Sequence, residues 1–169
     1  MTRIGLLSDT HRYLDEAIFG HFKDCDEIWH AGDIGSVEIL DKLTQFKPLR
    51  AVYGNIDTKE IRWQAPENQH FEIEGFKIWM THIGGAPPRY NPPIRKQLQA
   101  ETPDIFVCGH SHILRVLRDT QLKNMLYLNP GAAGIEGFHK MRTALRFSLN
   151  SRKITDMELI ELGIRGRIQ

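Results

Sequence analysis

The sequence predicts an α/β fold with a parallel sheet. Three observations carry this. The first third of the chain alternates short apolar runs with segments of helical periodicity, the pattern of strands joined by crossover helices. The apolar runs end in glycine or a small polar residue. Beyond its midpoint the chain changes to paired strands around polar turns.

The elements follow in order. RIGLLSD is an apolar run bounded by turn residues and suits a buried strand. YLDEAIFGHFKD spaces Leu14, Ala17, Ile18 and Phe22 as a helix would. EIWHAGD is a second strand ending in Gly32-Asp33. SVEILDKLTQF is a helix with Ser36 as N-cap and Glu38 in its first turn. LRAVYGN is a third strand ending in Gly54-Asn55. HFEIEGFKIWMTHIG reads as a hairpin around Glu74-Gly75. A short helix follows the prolines of PPIRKQLQAE, and PDIFVCGH is another buried strand. ILRVLRDTQLKNMLYLNPG and RTALRFSLNSRKITDMELIEL each read as two strands around a turn. IGGAPPRYNPPIR is the one loop rich in Gly and Pro. With no repeat or linker, residues 1–169 are expected to form a single domain.

Composition limits the function classes. Hydrophobic residues make up 41% and charged residues 25%, as in ordinary soluble domains. The formal net charge is +1, so no strong field recruits nucleic acid or an anionic membrane. Nor is there a basic stripe with stacking aromatics. The basic tail GIRGRIQ reads as a frayed end. Cys25 and Cys108 lie far apart, and neither stands in a CxxC motif. Cys108 reads as a buried apolar filler. MTRIGLLSDTH holds too short an apolar run for a signal peptide, and no run approaches the ~20 residues of a membrane span. The expected compartment is the cytoplasm.

Polar residues gather where the strands end. In open α/β sheets, ligands bind outside the carboxyl ends of the strands. Asp9, His11, Asp33, Asn55, His82, His110 and His112 are therefore aimed at one rim. Two carboxylates, an amide oxygen and four imidazoles, with no thiolate, suit borderline divalent metals such as manganese, iron, zinc or nickel. The set exceeds the needs of one ion with an open position and is enough for two sharing a carboxylate. Metal pairs ~3.5–4 Å apart are a known device for phosphate ester hydrolysis. His21, His30, His70 and His139 match no motif and read as structural. Trp29, Trp63 and Trp79 read as core or interface residues.

The order Asp9-x-His11, Gly32-Asp33, Gly54-Asn55, His82 and Gly109-His110-x-His112 resembles the calcineurin-like metallophosphoesterase superfamily. LLSDTH, HAGDI, AVYGNID and NPGAAG are similar to signatures of its small bacterial and archaeal phosphodiesterase branch. The resemblance implies a four-layer α/β/β/α sandwich, two mixed β-sheets flanked by helices. It implies two divalent ions, with manganese expected and iron, zinc or nickel as alternatives. Asp9, His11 and His112 would hold one ion, and Asn55, His82 and His110 the other, with Asp33 bridging. Asp9, Asp33, Asn55 and His82 would then act in catalysis through the metals and a bridging hydroxide. Asn55 and Arg89, the latter in the Gly/Pro loop, are the candidate contacts for substrate phosphate.

Two departures from the family pattern stand out. Many members carry a histidine after Gly-Asn, placed to protonate the leaving group; here that position is Ile56, and Asp57 after it is expected to brace the loop. Small phosphodiesterases often read His-Gly-His where this chain reads His82-Ile83-Gly84. The expected substrate is a small phosphodiester or phosphomonoester, and relatives often form homo-oligomers. The rival reading is a protein-interaction scaffold on the same fold with weak or no catalysis. A scaffold has no reason to keep the full set of ligands.

Overall fold

The structure is a computed structural model, and residues 1–166 are described. β1 (Thr2–Leu7) leads to α1 (Ala17–His21), then β2 (Glu27–His30), α2 (Val37–Phe46) and β3 (Leu49–Ala51). Ser36 caps α2, its hydroxyl accepting from the Ile39 N–H at 3.4 Å. α1 is shorter than its periodicity predicts: only Ala17–His21 is helical, and Asp15 Oδ1 accepts from the Ala17 N–H at its start. α3 (Lys59–Gln64) falls where the sequence predicts no helix. It is a short helix that buries only Ile61.

The hairpin β4 (Asn68–Ile73) and β5 (Phe76–Thr81) turns at Glu74 and Gly75, both with positive φ. The Gly/Pro loop holds a small ribbon, β6 (Gly85–Ala86) and β7 (Arg89–Tyr90), which the sequence does not predict. Then come α4 (Pro92–Ala100), β8 (Ile105–Val107), β9 (Leu114–Asp119), β10 (Met125–Pro130), β11 (Met141–Asn150) and β12 (Lys153–Ile164). Of the basic tail, Gly163 and Ile164 end β12; residues 167–169 lie outside the described residues.

Two five-stranded sheets result, ordered β12-β11-β1-β2-β3 and β4-β5-β8-β10-β9. Each is mixed. β1, β2 and β3 run parallel, as do β5, β8 and β10, with antiparallel strands at the margins. Strand alternation decides the layers. Ile4 and Leu6 of β1, with Leu145, Phe147 and Leu149 of β11, meet Ile78, Met80, Ile105 and Leu128 of the other sheet. Trp29 closes this interior, edge-on to Phe71 and Phe147. Leu7 and Ala144 face the other way, onto Ile18 and Phe22 of α1, Ile39, Leu40 and Leu43 of α2, and Ile61 of α3. On the far side Leu98 of α4 covers Trp79, Phe106, Cys108 and Tyr127. The order is helix, sheet, sheet, helix, the four-layer sandwich that the motifs imply. No helix among the described residues is long and apolar enough to cross a membrane.

Candidate metal centre

Both sheets end at one rim. Asp9 follows β1, Asp33 follows β2 and Asn55 follows β3; His82 follows β5, and His110 and His112 follow β8. Backbone bonds lash these loops together. The Asp9 N–H donates to the Gly32 carbonyl at 2.9 Å, the His11 N–H to Asp33 at 3.0 Å, and the Gly109 N–H to His82 at 3.1 Å. Asp57, 4% exposed, accepts from the N–H groups of Ile34, Gly35 and Gly54 at 3.1, 2.8 and 2.8 Å. It braces the loop, as the sequence leads one to expect. Glycine is required at two positions of close approach. A Cβ on Gly54 would collide with the Asp33 carboxylate, and one on Gly109 with the Ser8 hydroxyl and Asp9 Oδ2.

The side chains form two groups whose potential ligand atoms lie within 4.8 Å of one another: Asp9, His11 and His112, and Asp33, His82 and His110. Asn55 Oδ1 lies 3.1 Å from His110 Nδ1 and extends the second group. In each carboxylate one oxygen is occupied and the other turned inward. Asp9 Oδ2 accepts from Ser8 Oγ at 2.6 Å and the His110 N–H at 3.1 Å, leaving Oδ1 3.1 Å from His112 Nε2. Asp33 Oδ1 accepts from the Ile56 N–H at 3.1 Å, leaving Oδ2 3.2 Å from both His11 Nε2 and His82 Nε2. His82 Nδ1 donates to the Ala31 carbonyl at 2.7 Å, which leaves Nε2 as the lone-pair nitrogen in the neutral ring.

Asp9 Oδ1, His11 Nε2 and His82 Nε2 are buried, and although each stands 3.1–3.2 Å from an imidazole or carboxylate of the site, none makes a well-aligned hydrogen bond. Buried polar atoms without partners are rare and call for an explanation. Here they are oxygen and imidazole nitrogen, the donors that borderline divalent ions accept, so the residues fit such ions.

Electrostatics agree. Burial opposes the charge on Asp9, yet the His11 and His112 imidazoles hold its carboxyl well below the usual range. Asp33 is likewise desolvated and likewise held low by His11 and His82. Asp33 and then Asp9 push His11 up to about 10. Burial would lower His82, but its contacts with Asp33 and Asp9 raise it. The protein alone thus stores protons on imidazoles where the carboxylates demand positive charge. A divalent cation would replace those protons, and its binding would release them.

Five of these residues adopt left-handed backbone: Asp9 (φ 54°), His11 (45°), Asp33 (53°), His110 (69°) and His112 (59°). Asp and His enter this region more readily than most side chains. Such strain costs on the order of 1–3 kcal/mol per residue and concentrates at functional sites.

Two cavities border the second group. One, about 250 Å³, lies against Asn55 and His82 and is walled by Tyr53, Arg62, Glu67 and Ile83. The other, about 190 Å³, lies against His110 with Ser111, Ile113 and Arg115. Arg89, on β7, lines neither. A larger cavity of about 270 Å³ lies near His70, Trp79 and Gln97 and contains none of the seven residues, so volume alone does not pick the site. His30 is fully buried between Thr10 and the Gly32 N–H, a structural histidine held near 4 by desolvation. The loop after β10 carries two neighbours with no sequence signal. Glu136 Oε2 lies 3.6 Å from His11 Nδ1, and the His139 ring stands 5.1 Å from that of His112.

Known proteins share this fold and, in part, this sequence. Residues 2–152 match the calcineurin-like phosphoesterase superfamily domain. A protein of Methanothermobacter thermautotrophicus named "Probable metallophosphoesterase" is 35% identical over 135 residues, covering 76% of each chain. A protein of the same name from Mycoplasma pneumoniae is 28% identical over 165 residues, covering 93% of this chain and 96% of its own. A structure described as a novel archaeal phosphodiesterase superposes with a TM-score of 0.75 at 20% identity, covering 95% and 99% of the two chains. Zinc-bound Vps29 from Entamoeba histolytica superposes with a TM-score of 0.74 at 16% identity, covering 94% and 98%. The family match and the archaeal relative place this chain in the calcineurin-like phosphoesterase superfamily.

Proposed function

We propose that this chain is a metal-dependent phosphoesterase that hydrolyses phosphodiesters at two divalent ions, manganese being the expected metal. The observation that carries this is the position of Asp33. Its Oδ2 lies 3.2 Å from one imidazole of each group, where a single carboxylate can serve both. Asp9, His11 and His112 would hold one ion and His82, His110 and Asn55 the other. Bound there, the ions would supply Lewis acidity, lowering the pKa of a shared water and offsetting phosphate charge.

The protein's own part is placement. Ser8 and the His110 N–H fix Asp9, the Ile56 N–H fixes Asp33, and the Ala31 carbonyl fixes the His82 tautomer. Asn55 and His110, both exposed, stand where a phosphate could approach. Two cavities that share no lining residue border this group. Each falls below the ~300 Å³ lower range of pockets that enclose a whole drug-sized ligand. That supports a substrate with two arms, a diester, over a monoester. The lack of an acid at Ile56 agrees with leaving groups that need little protonation.

The likeness to Vps29, at 16% identity, concerns the fold alone and does not decide between an enzyme and a scaffold. The unpartnered carboxylate and imidazole atoms favour the enzyme. The test is metal-stripped protein reloaded with Mn²⁺, Fe²⁺, Zn²⁺ or Ni²⁺, with metal content and turnover of nitrophenyl mono- and diesters measured together. Two ions per chain and a higher kcat/KM for diesters are expected. No turnover with any metal would overturn the enzyme reading and leave the scaffold as its rival.

A further inference from the structure

The cavity against Asn55 and His82 has more chemistry in its walls than hydrolysis requires. Tyr53 lies two residues past β3 and two before Asn55, and Arg62 lies on α3. The Arg62 guanidinium carbon lies 4.4 Å from the centre of the Tyr53 ring. Its Nε donates to the Asp57 carbonyl at 2.8 Å. These two contacts fix an exposed guanidinium plane from behind and from one edge. Among the described residues its one side-chain hydrogen bond is that to Asp57, and Arg62 lines the cavity. Glu67 supplies an acceptor in the same wall, its Oε2 3.4 Å from the Tyr53 hydroxyl. Ile83, 39% exposed, adds an apolar contact beside His82.

A held cationic plane, donors, an acceptor and an apolar side chain together match a flat ring that both donates and accepts hydrogen bonds. Guanidinium planes stack on such rings, whereas a point charge such as lysine does not. The volume, about 250 Å³, suits one arm of a substrate rather than the whole. We propose that this cavity binds one organic arm of the phosphodiester, that the arm carries a planar hydrogen-bonding ring of the nucleobase class, and that Arg62 determines this specificity. The inference rests on the phosphodiesterase reading only in that the ring is joined to the scissile phosphate.

The test compares two esters with the same leaving group, the p-nitrophenyl ester of thymidine monophosphate and methyl p-nitrophenyl phosphate, on the metal-loaded protein. The wild type should prefer the nucleoside ester in kcat/KM. Arg62→Ala should lower that preference on the order of tenfold, the worth of one stacked base. Arg62→Lys keeps the charge without the plane and should also lower it. An unchanged preference in both variants overturns the proposal. Binding supplies a second readout. In an NMR titration of the metal-loaded protein, thymidine monophosphate should bind more tightly than methyl phosphate, and Arg62→Lys should narrow the gap. If neither ester turns over but the gap narrows, the diesterase reading fails and the ring site stands. If the two ligands bind equally in the wild type, the ring site fails whatever the turnover.

Discussion

The two halves of the candidate centre are built differently. The group of Asp9, His11 and His112 is closed in. Asp9 is fully buried, and the loop after β10 stands beside it, the Gly134 N–H donating to the Asp9 carbonyl at 3.0 Å. Glu136 approaches His11 from the outer side and pairs with Arg12 at 3.0 Å, while His139 packs against His112. The group of Asp33, His82, His110 and Asn55 is half open. Its carboxylate and His82 are buried, but Asn55 and His110 are exposed, Asn55 bordering one cavity and His110 the other. A closed site favours retention of an ion, and an open one leaves room for substrate oxygens. In the proposed function the first group anchors and the second meets the phosphate.

Asp33 is where that division can be broken most completely. Asp33→Asn removes the charge of the carboxylate whose Oδ2 lies 3.2 Å from an imidazole of each group. Turnover should fall by more than about a thousandfold, beyond the loss of a typical transition-state stabiliser. Metal analysis should find fewer than two ions per chain. Two bound ions with full turnover would sink the shared-carboxylate assignment.

A smaller effect should follow from loosening the second group without touching a ligand. Asp57 ties the loop after β2 to the loop after β3 through three backbone N–H groups. Asp57→Ala leaves those buried donors without an acceptor, at ~1–3 kcal/mol each before water enters. Urea unfolding should show a loss of about 3 kcal/mol, and affinity for the second ion should weaken with it. Unaltered stability would mean that the loops hold Asn55 against Asp33 without this brace.

How much of this contrast could be read in the sequence depends on what each residue signals. The convergence of the seven candidate ligands on one rim was legible because each follows an apolar run, and strand ends converge in α/β sheets. The hairpins were legible from Glu74-Gly75 and from the polar turn before Met125, where chemistry is local. The split of strands between two sheets was not; β5 and β8 read like any buried strand, and pairing between distant segments leaves no local pattern. α3 was missed because a short helix burying one residue has no measurable period. Arg62, which that helix carries, was missed with it. Left-handed backbone at Asp9 or His110 is also invisible, since nothing in their neighbours' identities demands it. Glu136 and His139 come near the site only through tertiary packing of a loop.

Removing the metals should expose the closed group's electrostatics. In the stripped protein His11 titrates at about 10, above its ordinary 6.5, through Asp33 and Asp9. A folded-state pKa above the unfolded one gives stability that is full below pH 6.5 and is lost as pH rises through about 10. The stripped protein should therefore lose resistance to urea between pH 6.5 and 10. The loaded protein should lose less, because the ion displaces that proton. Parallel pH profiles for the two forms would show that His11 does not meet the metal.

The smallest effect concerns the open group and the departing oxygen. Ile56 is half-buried, follows Asn55, and gives its N–H to Asp33 Oδ1 at 3.1 Å. Its side chain has no proton to give, so protonation of a leaving alkoxide would fall to water or to another, unassigned group. General acid assistance is worth ~10²–10⁴-fold in rate when the group is correctly placed. The wild type should therefore respond steeply to leaving-group pKa, fast on nitrophenyl diesters and slow on alkyl ones. Ile56→His should recover only part of that range, roughly threefold to tenfold on alkyl diesters, because the loop was not built around an imidazole. Nitrophenyl diesters, which need no acid, should change little by comparison, and the slope against leaving-group pKa should flatten. A wild type already flat in that plot would place an acid elsewhere. His139, with a buried Nδ1 that lacks a partner and a ring against His112, would then be the first residue to replace. In that event the leaving group would depart on the side of the closed group, and the roles given to the two halves would have to be exchanged.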